Sequence, residues 1–241
     1  MRVAVLSDVH ANGTAFEAVL ADLRDAAPDL VLHGGDLADA GACPVEVVDR
    51  IRDLGWPGIK GNTDEMLCDP ESLRAFASDR PALAPLFAVV EEMAAFTREA
   101  LGRARLDWLR ALPGAWVDGT MALVHGRPDT SWRAPGPDAT DDELAAVYGP
   151  LERPVVVYGH IHRPFVRALR GPAMTIANCG SVGMPHDGDP RAAYLLIDDG
   201  RPQVRRVAYD VGREQAALAR CGLPHAAWAA RILGSARPEV P

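Results

Sequence analysis

One pattern, which occurs five times, constrains the fold of this chain most. In each case an apolar run is followed by a short turn that carries a side chain able to bind a metal. The runs are 3–6, 30–32, 58–60, 121–124 and 155–158, and the turns after them carry, in order, Asp8 and His10, Asp36, Asn62, His125, and His160 and His162. In an open α/β sheet, ligands bind outside the carboxyl ends of the strands. The pattern therefore predicts one shared site built from these side chains.

The chemistry of the donors indicates what kind of site this is. One residue separates Asp8 from His10, and one separates His160 from His162. In extended chain such side chains project to the same face, roughly 6.5–7 Å apart at Cα. Carboxylates, imidazoles and an amide oxygen, without a thiolate, suit Mn²⁺, Fe or Zn²⁺, and so many imidazoles argue against a plain Ca²⁺ or Mg²⁺ cage. We interpret the set as the centre of a two-metal hydrolase.

The composition limits the class of protein. The chain has 241 residues, of which 48% are hydrophobic, so one large domain over 1–241 is expected, although two would also fit the length. The formal net charge of −8 argues against a broad nucleic-acid-binding surface. A site focused by metal ions can still attract one phosphate group, because bound cations dominate the local field.

The cysteines and the start of the chain indicate a compartment. Cys43, Cys68, Cys179 and Cys221 show no Cys-x-x-Cys spacing, so neither a disulfide framework nor a structural zinc site is expected, and a reducing cytoplasm fits. The segment from Met1 turns polar too soon for a signal peptide. No stretch approaches the roughly 18–20 apolar residues of a membrane span. We expect a cytoplasmic protein without a membrane partner.

The predicted elements change character along the chain. The first third alternates strands with helices at about 14–25 and 44–54, an order typical of parallel strands with helical crossovers. The block at about 66–112 is rich in alanine, leucine and charge, and is predicted as a helical insertion with helices at about 85–101 and 104–112. It covers one side of the predicted site.

Short strands return after the insertion. They are predicted at about 115–118, 121–125, 154–158, 165–169, 173–178, 192–198 and 203–209. Thr140 and Glu143 fit a capping box that opens a helix to about Tyr148. The tail at about 211–234 is predicted as one or two amphipathic helices, broken near 222–224. The mixture suggests an α/β fold of two sheets packed face to face with helices outside.

Taken together, the motifs resemble the calcineurin-like metallophosphoesterase superfamily, and most closely its small bacterial phosphodiesterases. The matching order is Asp8-x-His10, Gly35-Asp36-(x)4-Gly41, Gly61-Asn62, His125-Gly126 and Gly159-His160-x-His162, and the segments 178–183 and 187–191 are also similar. The resemblance covers nearly all of residues 1–200. It implies a four-layer α/β/β/α sandwich of two mixed sheets flanked by helices, with a dinuclear centre.

The resemblance also assigns the ligands. One metal would take Asp8, His10, Asp36 and His162; the other would take Asp36, Asn62, His125 and His160, with Asp36 bridging. The implied cofactors are two divalent ions, with Mn²⁺ favoured and Fe or Zn²⁺ as alternatives. A hydroxide that bridges the two metals would attack the phosphorus. No catalytic side chain is therefore expected beyond that hydroxide.

The chain departs from the family pattern at positions that bear on substrate choice. The family's Asn-His motif is Asn62-Thr63 here, so the histidine that protonates the leaving group in the family has no counterpart at that position. Asp39 could lie at the surface or behind the ligands. Ala40 stands where protein phosphatases of the superfamily place a phosphate-binding arginine. These differences favour phosphodiesters, or other substrates whose leaving group needs little protonation.

Three further residues are candidates for substrate binding. Asn12 could hydrogen-bond the substrate or belong to an ordinary Asn-Gly turn. Arg127 could steer a phosphate or be an exposed loop residue, and His186 could line the pocket or be solvated. His33 is predicted to lie in the core or behind the ligands, and His225 at the surface.

Alternative functions remain open at this point. The same ligands would serve a hydrolase of pyrophosphate-type linkages, as in dinucleoside polyphosphates, or a phosphomonoesterase. A non-catalytic scaffold, resembling the vacuolar-sorting subunit of the same fold, is disfavoured because every predicted ligand is of a suitable type. The expected partner is a small phosphorylated substrate, and the sequence does not indicate an oligomeric state.

Overall fold

The computed structural model describes residues 1–171 and 173–241, and its strands form two mixed sheets. The strands are β1 (Arg2–Leu6), β2 (Leu30–His33), β3 (Ala115–Val117), β4 (Met121–Val124), β5 (Val155–Tyr158), β6 (Phe165–Ala168), β7 (Thr175–Asn178), β8 (Ala192–Asp198) and β9 (Arg201–Val207). The first sheet has the order β2-β1-β8-β9, and the second has the order β3-β4-β5-β7-β6. The parallel pairs are β1 with β2, β4 with β5, and β5 with β7.

Helices cover the outer faces of both sheets. They are α1 (Gly13–Ala26), α2 (Pro44–Leu54), α3 (Asn62–Cys68), α4 (Pro70–Ser78), α5 (Ala84–Ala111), α6 (Asp141–Tyr148), α7 (Val211–Cys221) and α8 (Ala226–Ser235). Short 3₁₀ turns lie at Pro81–Leu83 and Gly149–Leu151. Each strand of the two sheets that the sequence predicted is found within about two residues of its expected place.

Successive side chains along a strand point to opposite faces of its sheet, and each face packs against a different layer. Val3 and Val5 of β1 pack with Leu123 and Val157 in an apolar core between the two sheets. On the opposite face of the first sheet, Ala4 and Leu6 pack against the inner faces of α1, α2 and α5. The outer face of the second sheet packs against α6. The expected α/β/β/α arrangement of two mixed sheets flanked by helices is therefore confirmed.

Two details differ from or refine the sequence-based expectations. The run 58–60 is not a strand: Gly58 makes a single bridge to His33, and Lys60 N then donates to the Pro113 carbonyl, which takes the chain out of the sheet. The helices predicted at about 85–101 and 104–112 are the two parts of α5, which meet at Gly102, whose φ of 66° is left-handed. The tail breaks at Gly222 as predicted.

No helix within 1–171 and 173–241 is long and apolar enough to cross a membrane.

Candidate metal centre

The candidate ligands lie on turns with an uncommon backbone conformation. Asp8, His10, Asp36, His160 and His162 all have positive φ, between 47° and 67°. Such values are uncommon outside glycine, although Asp, Asn and His tolerate them better than most residues. The turns are packed so closely that a Cβ on Gly159 would lie 2.6 Å from Asp8 Oδ2. Strained backbone of this kind persists where the surrounding fold holds it in place, and it concentrates at functional sites.

One cluster of donors forms where β1 and β5 end. His162 Nε2 lies 3.1 Å from Asp8 Oδ1 and 3.2 Å from His10 Nε2. Asp36 Oδ2 lies 3.9 Å from His10 Nε2. The ligand atoms of Asp8, His10 and His162 all lie within 4.8 Å of one another. Neighbouring ligand atoms on one ion with bonds of about 2.1 Å are about 3.0–3.4 Å apart, so these residues fit a metal site.

A second cluster lies beside the first. Asn62 Oδ1 is 3.0 Å from His125 Nε2 and 2.8 Å from His160 Nδ1, and His125 Nε2 is 3.3 Å from Asp36 Oδ2. The ligand atoms of Asp8, Asp36 and His125 also lie within 4.8 Å of one another. The structure thus brings all seven predicted ligands together, and the Asp36 carboxylate lies within 4 Å of a ligand atom in each cluster.

Backbone carbonyls orient three of the imidazoles. Nδ1–H of His10 donates to the Asp39 carbonyl at 3.0 Å, that of His125 to Gly34 at 2.7 Å, and that of His162 to Met184 at 2.6 Å. A carbonyl can only accept, so each ring carries a proton on Nδ1, and Nε2, which faces the site, is the atom that would bind a metal. The Nε2 atoms of His10 and His162 lie 3.2 Å apart, a separation that two ligands of one ion would have.

The charges of the site favour a positive ion. Asp8 and Asp36 are 0% and 2% exposed, and buried charges are normally paired or bound to metals. Burial opposes protonation of His125, but the Asp36 carboxylate outweighs it and raises the pKa of His125 to about 10. Burial and the neighbouring His125 lower the pKa of His160 to about 4. Oxygen and nitrogen donors around two buried carboxylates therefore fit divalent cations of the Mn²⁺, Fe or Zn²⁺ type.

The loop after β7 supports the Asp8 turn. Ser181 Oγ donates to the Asp8 carbonyl at 2.7 Å, and Gly183 N donates to the same oxygen at 3.0 Å. Asn178 Nδ2 donates to the Gly159 carbonyl at 2.6 Å. The segment 178–183, noted for its similarity to the family, thus joins the first and last ligand turns.

Asp64 is a functional residue that the sequence interpretation missed. It is fully buried in α3, and its carboxylate accepts from the backbone N–H groups of Asp36 (2.7 Å), Leu37 (3.0 Å) and Gly61 (3.0 Å). Burial and the nearby Asp36 raise the pKa of Asp64 to about 7. An acidic residue in the first turn of a helix that starts at a predicted ligand was the available signal, but no helix was predicted between Asn62 and about residue 85.

The three predicted substrate residues lie in different surroundings. Asn12 is buried as the N-cap of α1: its Oδ1 accepts from Ala15 N, and its Nδ2 donates to the Gly183 carbonyl. This capping role differs from the substrate contact predicted for it. Arg127 pairs with Asp129 at 3.1 Å in a polar cleft that also contains His125. His186 stacks on His162 with ring centroids 4.3 Å apart.

The remaining positions can also be placed. His33 is buried beside Trp108, and His225 lies at the surface, where it pairs with Glu92 at 2.9 Å. Asp39 is buried rather than at the surface, and Thr63 follows Asn62 into α3. Asp39 and Thr63 both line a cavity that His10, Asn62 and His160 also border.

Comparison with known proteins gives consistent results. Residues 1–200 match the calcineurin-like phosphoesterase superfamily domain. An uncharacterized protein of Methanocaldococcus jannaschii is 30% identical over 92% of this chain and 93% of its own length. A protein of a Synechococcus species, described as a probable cyclic nucleotide phosphodiesterase, is 27% identical over 70% of this chain and 71% of its own.

Solved structures agree on the fold. A metallophosphoesterase from Sphaerobacter thermophilus superposes with a TM-score of 0.79 at 26% identity, covering 98% of this chain and 100% of that one. A hypothetical protein from Pyrococcus horikoshii has a TM-score of 0.81 at 21% identity, covering 96% and 97% of the two chains. Together with the site geometry, the family match shows that the chain belongs to the calcineurin-like phosphoesterase superfamily, a membership that implies a metal-dependent phosphoesterase.

Proposed function

We propose that this protein is a dinuclear metal-dependent phosphodiesterase acting on a small phosphorylated substrate. One observation carries the proposal: the Asp36 carboxylate reaches both donor clusters, 3.9 Å from His10 Nε2 and 3.3 Å from His125 Nε2. Asp8, His10 and His162 would complete one metal site. Asn62, His125 and His160 would complete the other.

The residues of the chain have separable roles in this proposal. When bound, two divalent ions would activate water as a nucleophile and stabilise the departing oxygen of an in-line displacement. Asp8 and Asp36 supply the negative charge that holds the ions, and their two charges leave the centre cationic enough to bind a phosphate. The Asp39, Gly34 and Met184 carbonyls keep three imidazoles in the ligating tautomer.

Thr63 supports a preference for diesters. Its backbone N–H donates to Asp36 Oδ1 at 2.8 Å, and its hydroxyl lies where the family carries a histidine. A threonine hydroxyl does not protonate a leaving group near neutral pH, and general acid catalysis is worth about 10²–10⁴-fold. Substrates with a good leaving group lose least from this replacement. The name of the Synechococcus relative, a probable cyclic nucleotide phosphodiesterase, is in line with this preference.

A substrate comparison tests the proposal. Protein reconstituted with Mn²⁺ is given bis(4-nitrophenyl) phosphate and an alkyl phosphate monoester, and parallel samples carry Fe²⁺ or Zn²⁺. We expect turnover of the aryl diester and at least about 10²-fold less of the monoester, the lower limit of a general acid's contribution. Equal or faster turnover of the monoester would contradict the diester preference. Metal content near one ion per protein, rather than two, would contradict the dinuclear centre.

A further inference from the structure

An apolar cavity opens directly onto the candidate metal centre. Its volume is about 260 Å³, and His10, Asn62 and His160 form one end of it. At about 30 Å³ per water in the liquid, this space is roughly that of nine waters. A group attached to a phosphate held by the metals would therefore enter this cavity.

The walls of the cavity come from the helices that cover the sheet edge. Met66 of α3, Phe76 of α4 and Phe87 of α5 form one side, and Ile232 of α8 forms the other. Phe76 packs edge-on against Phe87 at 6.0 Å between centroids, and its ring lies 4.9 Å from that of Trp132 at an interplanar angle of 32°. Aromatic and aliphatic walls of this kind attract apolar ligands through burial and ring contacts.

Polar groups are confined to the end beside the metal centre. Besides the candidate ligands, the described lining residues with polar side-chain oxygens are Asp39 and Thr63. Asp39 is 3% exposed, and Asp39 Oδ1 and Thr63 Oγ1 are both buried with no hydrogen-bond partner among the described residues. Because both atoms are buried, they add little polar surface to the cavity beyond the candidate ligands.

We propose that this cavity binds the apolar ester group of the substrate, so that the protein acts on phosphoesters of a hydrophobic alcohol. The inference rests on the proposed phosphoesterase function and names its substrate class. A nucleobase would need polar partners along its edges. The indole N–H groups of Trp132 and Trp228 in the walls already donate to Glu65 and to the Glu239 carbonyl. An alkyl or aryl group matches those walls.

Binding of non-hydrolysable ligands tests the cavity without relying on turnover. Methyl-, butyl-, hexyl- and octylphosphonate are titrated into Mn²⁺-loaded protein by calorimetry, with Trp132 and Trp228 fluorescence as a second signal. We expect Kd to fall about fourfold for each added methylene until the cavity is full. The heat capacity change of binding is expected to become more negative with chain length, because apolar surface is buried.

Two variants change the size of the cavity. Ala229 is buried in α8 and lines the cavity, so Ala229→Phe should fill it and abolish the gain from longer chains. Ala227→Phe, on the exposed face of the same helix, is the matched control and should behave as wild type. Phe87 is half-buried, so Phe87→Ala should fold and move the best ligand to a longer chain.

The outcomes separate this inference from the proposed function. If methylphosphonate binds and the aryl diester is hydrolysed, but Kd does not depend on chain length, the cavity inference is wrong and the phosphoesterase proposal stands. If neither methylphosphonate binding nor hydrolysis is detected with Mn²⁺, the proposed function itself fails. Equal chain-length dependence in wild type and Ala229→Phe would place the apolar group elsewhere and overturn the inference.

Discussion

The ends of the strands and the helices above them form two halves of one site, built on different physical principles. The ligand turns lie on strands buried between other layers, and their side chains are fixed by short local motifs and backbone hydrogen bonds. The cover formed by α3, α4, α5 and α8 contributes scattered apolar side chains whose only common property is where the helices pack. The first half would supply the chemistry, and the second would choose the substrate.

The bridging ligand should give the largest effect, because it belongs to both donor clusters. Asp36→Asn is expected to lower hydrolysis of the aryl diester at least about 10³-fold, since even one oxyanion-hole donor is worth about 10²–10³. Metal content is measured in parallel and should fall. Asp25→Asn, on the exposed surface of α1, is the control. Activity that survives Asp36→Asn would mean that the strand-end half is misassigned.

Asp64 tests whether the two halves are coupled. It belongs to the cover through α3, yet its carboxylate holds three buried backbone N–H groups around the Asp36 turn. Asp64→Ala leaves these donors unsatisfied and should lower the free energy of unfolding by about 3–5 kcal/mol. Urea denaturation measures this, with Glu99→Ala on exposed α5 as control. A loss below about 1 kcal/mol would show that water replaces the carboxylate freely.

Asn12 distinguishes support of the turn from contact with substrate. Because Asn12 is the N-cap of α1, Asn12→Ala should lower the free energy of unfolding by about 1–2 kcal/mol. The kcat/KM for the aryl diester should change little, provided assays run well below the melting temperature. The opposite result, unchanged stability with a large drop in kcat/KM, would restore the substrate contact that the sequence suggested.

The smallest expected effect on stability comes from an ion pair that holds α5, a helix of the cover, against α2. Arg105 of α5 donates through Nε to Asp49 of α2 at 2.9 Å, and this contact lowers the pKa of Asp49. Both groups are partly exposed, so Asp49→Asn should cost only about 0.5 kcal/mol. The lowered pKa stabilises the fold above the unfolded-state value of 3.8, and this contribution is lost as the pH falls through the lower folded value. The difference in unfolding free energy between wild type and Asp49→Asn should therefore be larger at pH 7 than at pH 3.

The sequence predicts the strand-end half well because its signals are local. An apolar run followed by Asp8, His125 or His160 identifies the strand, its end and its ligand within a few residues. The Thr140 and Glu143 capping box and the break at Gly222 are similarly local, and both occur in the structure. The run at 58–60 was misjudged because its partner for the next hydrogen bond is Pro113, far along the chain.

The cover is poorly predicted because the role of its residues depends on packing between segments that are distant in the sequence. Phe76, Trp132 and Ile232 are ordinary apolar residues in the sequence, and they line one cavity only when two separate helices and a loop pack together. Asp64 similarly looks like a surface residue of a helix until the Asp36 turn is folded against it. Helical periodicity finds such elements but does not say which neighbours their faces will have.

The left-handed backbone at the ligand turns has a consequence for directed evolution of this protein. At Asp8, Asp36 and His162, a valine, isoleucine or threonine would clash with its own main chain before any effect on metal binding. Asn, Asp, His and Gly are the residues that accept such dihedrals at least cost. Randomised libraries at these codons, selected for soluble expression alone, should already be depleted of β-branched amino acids.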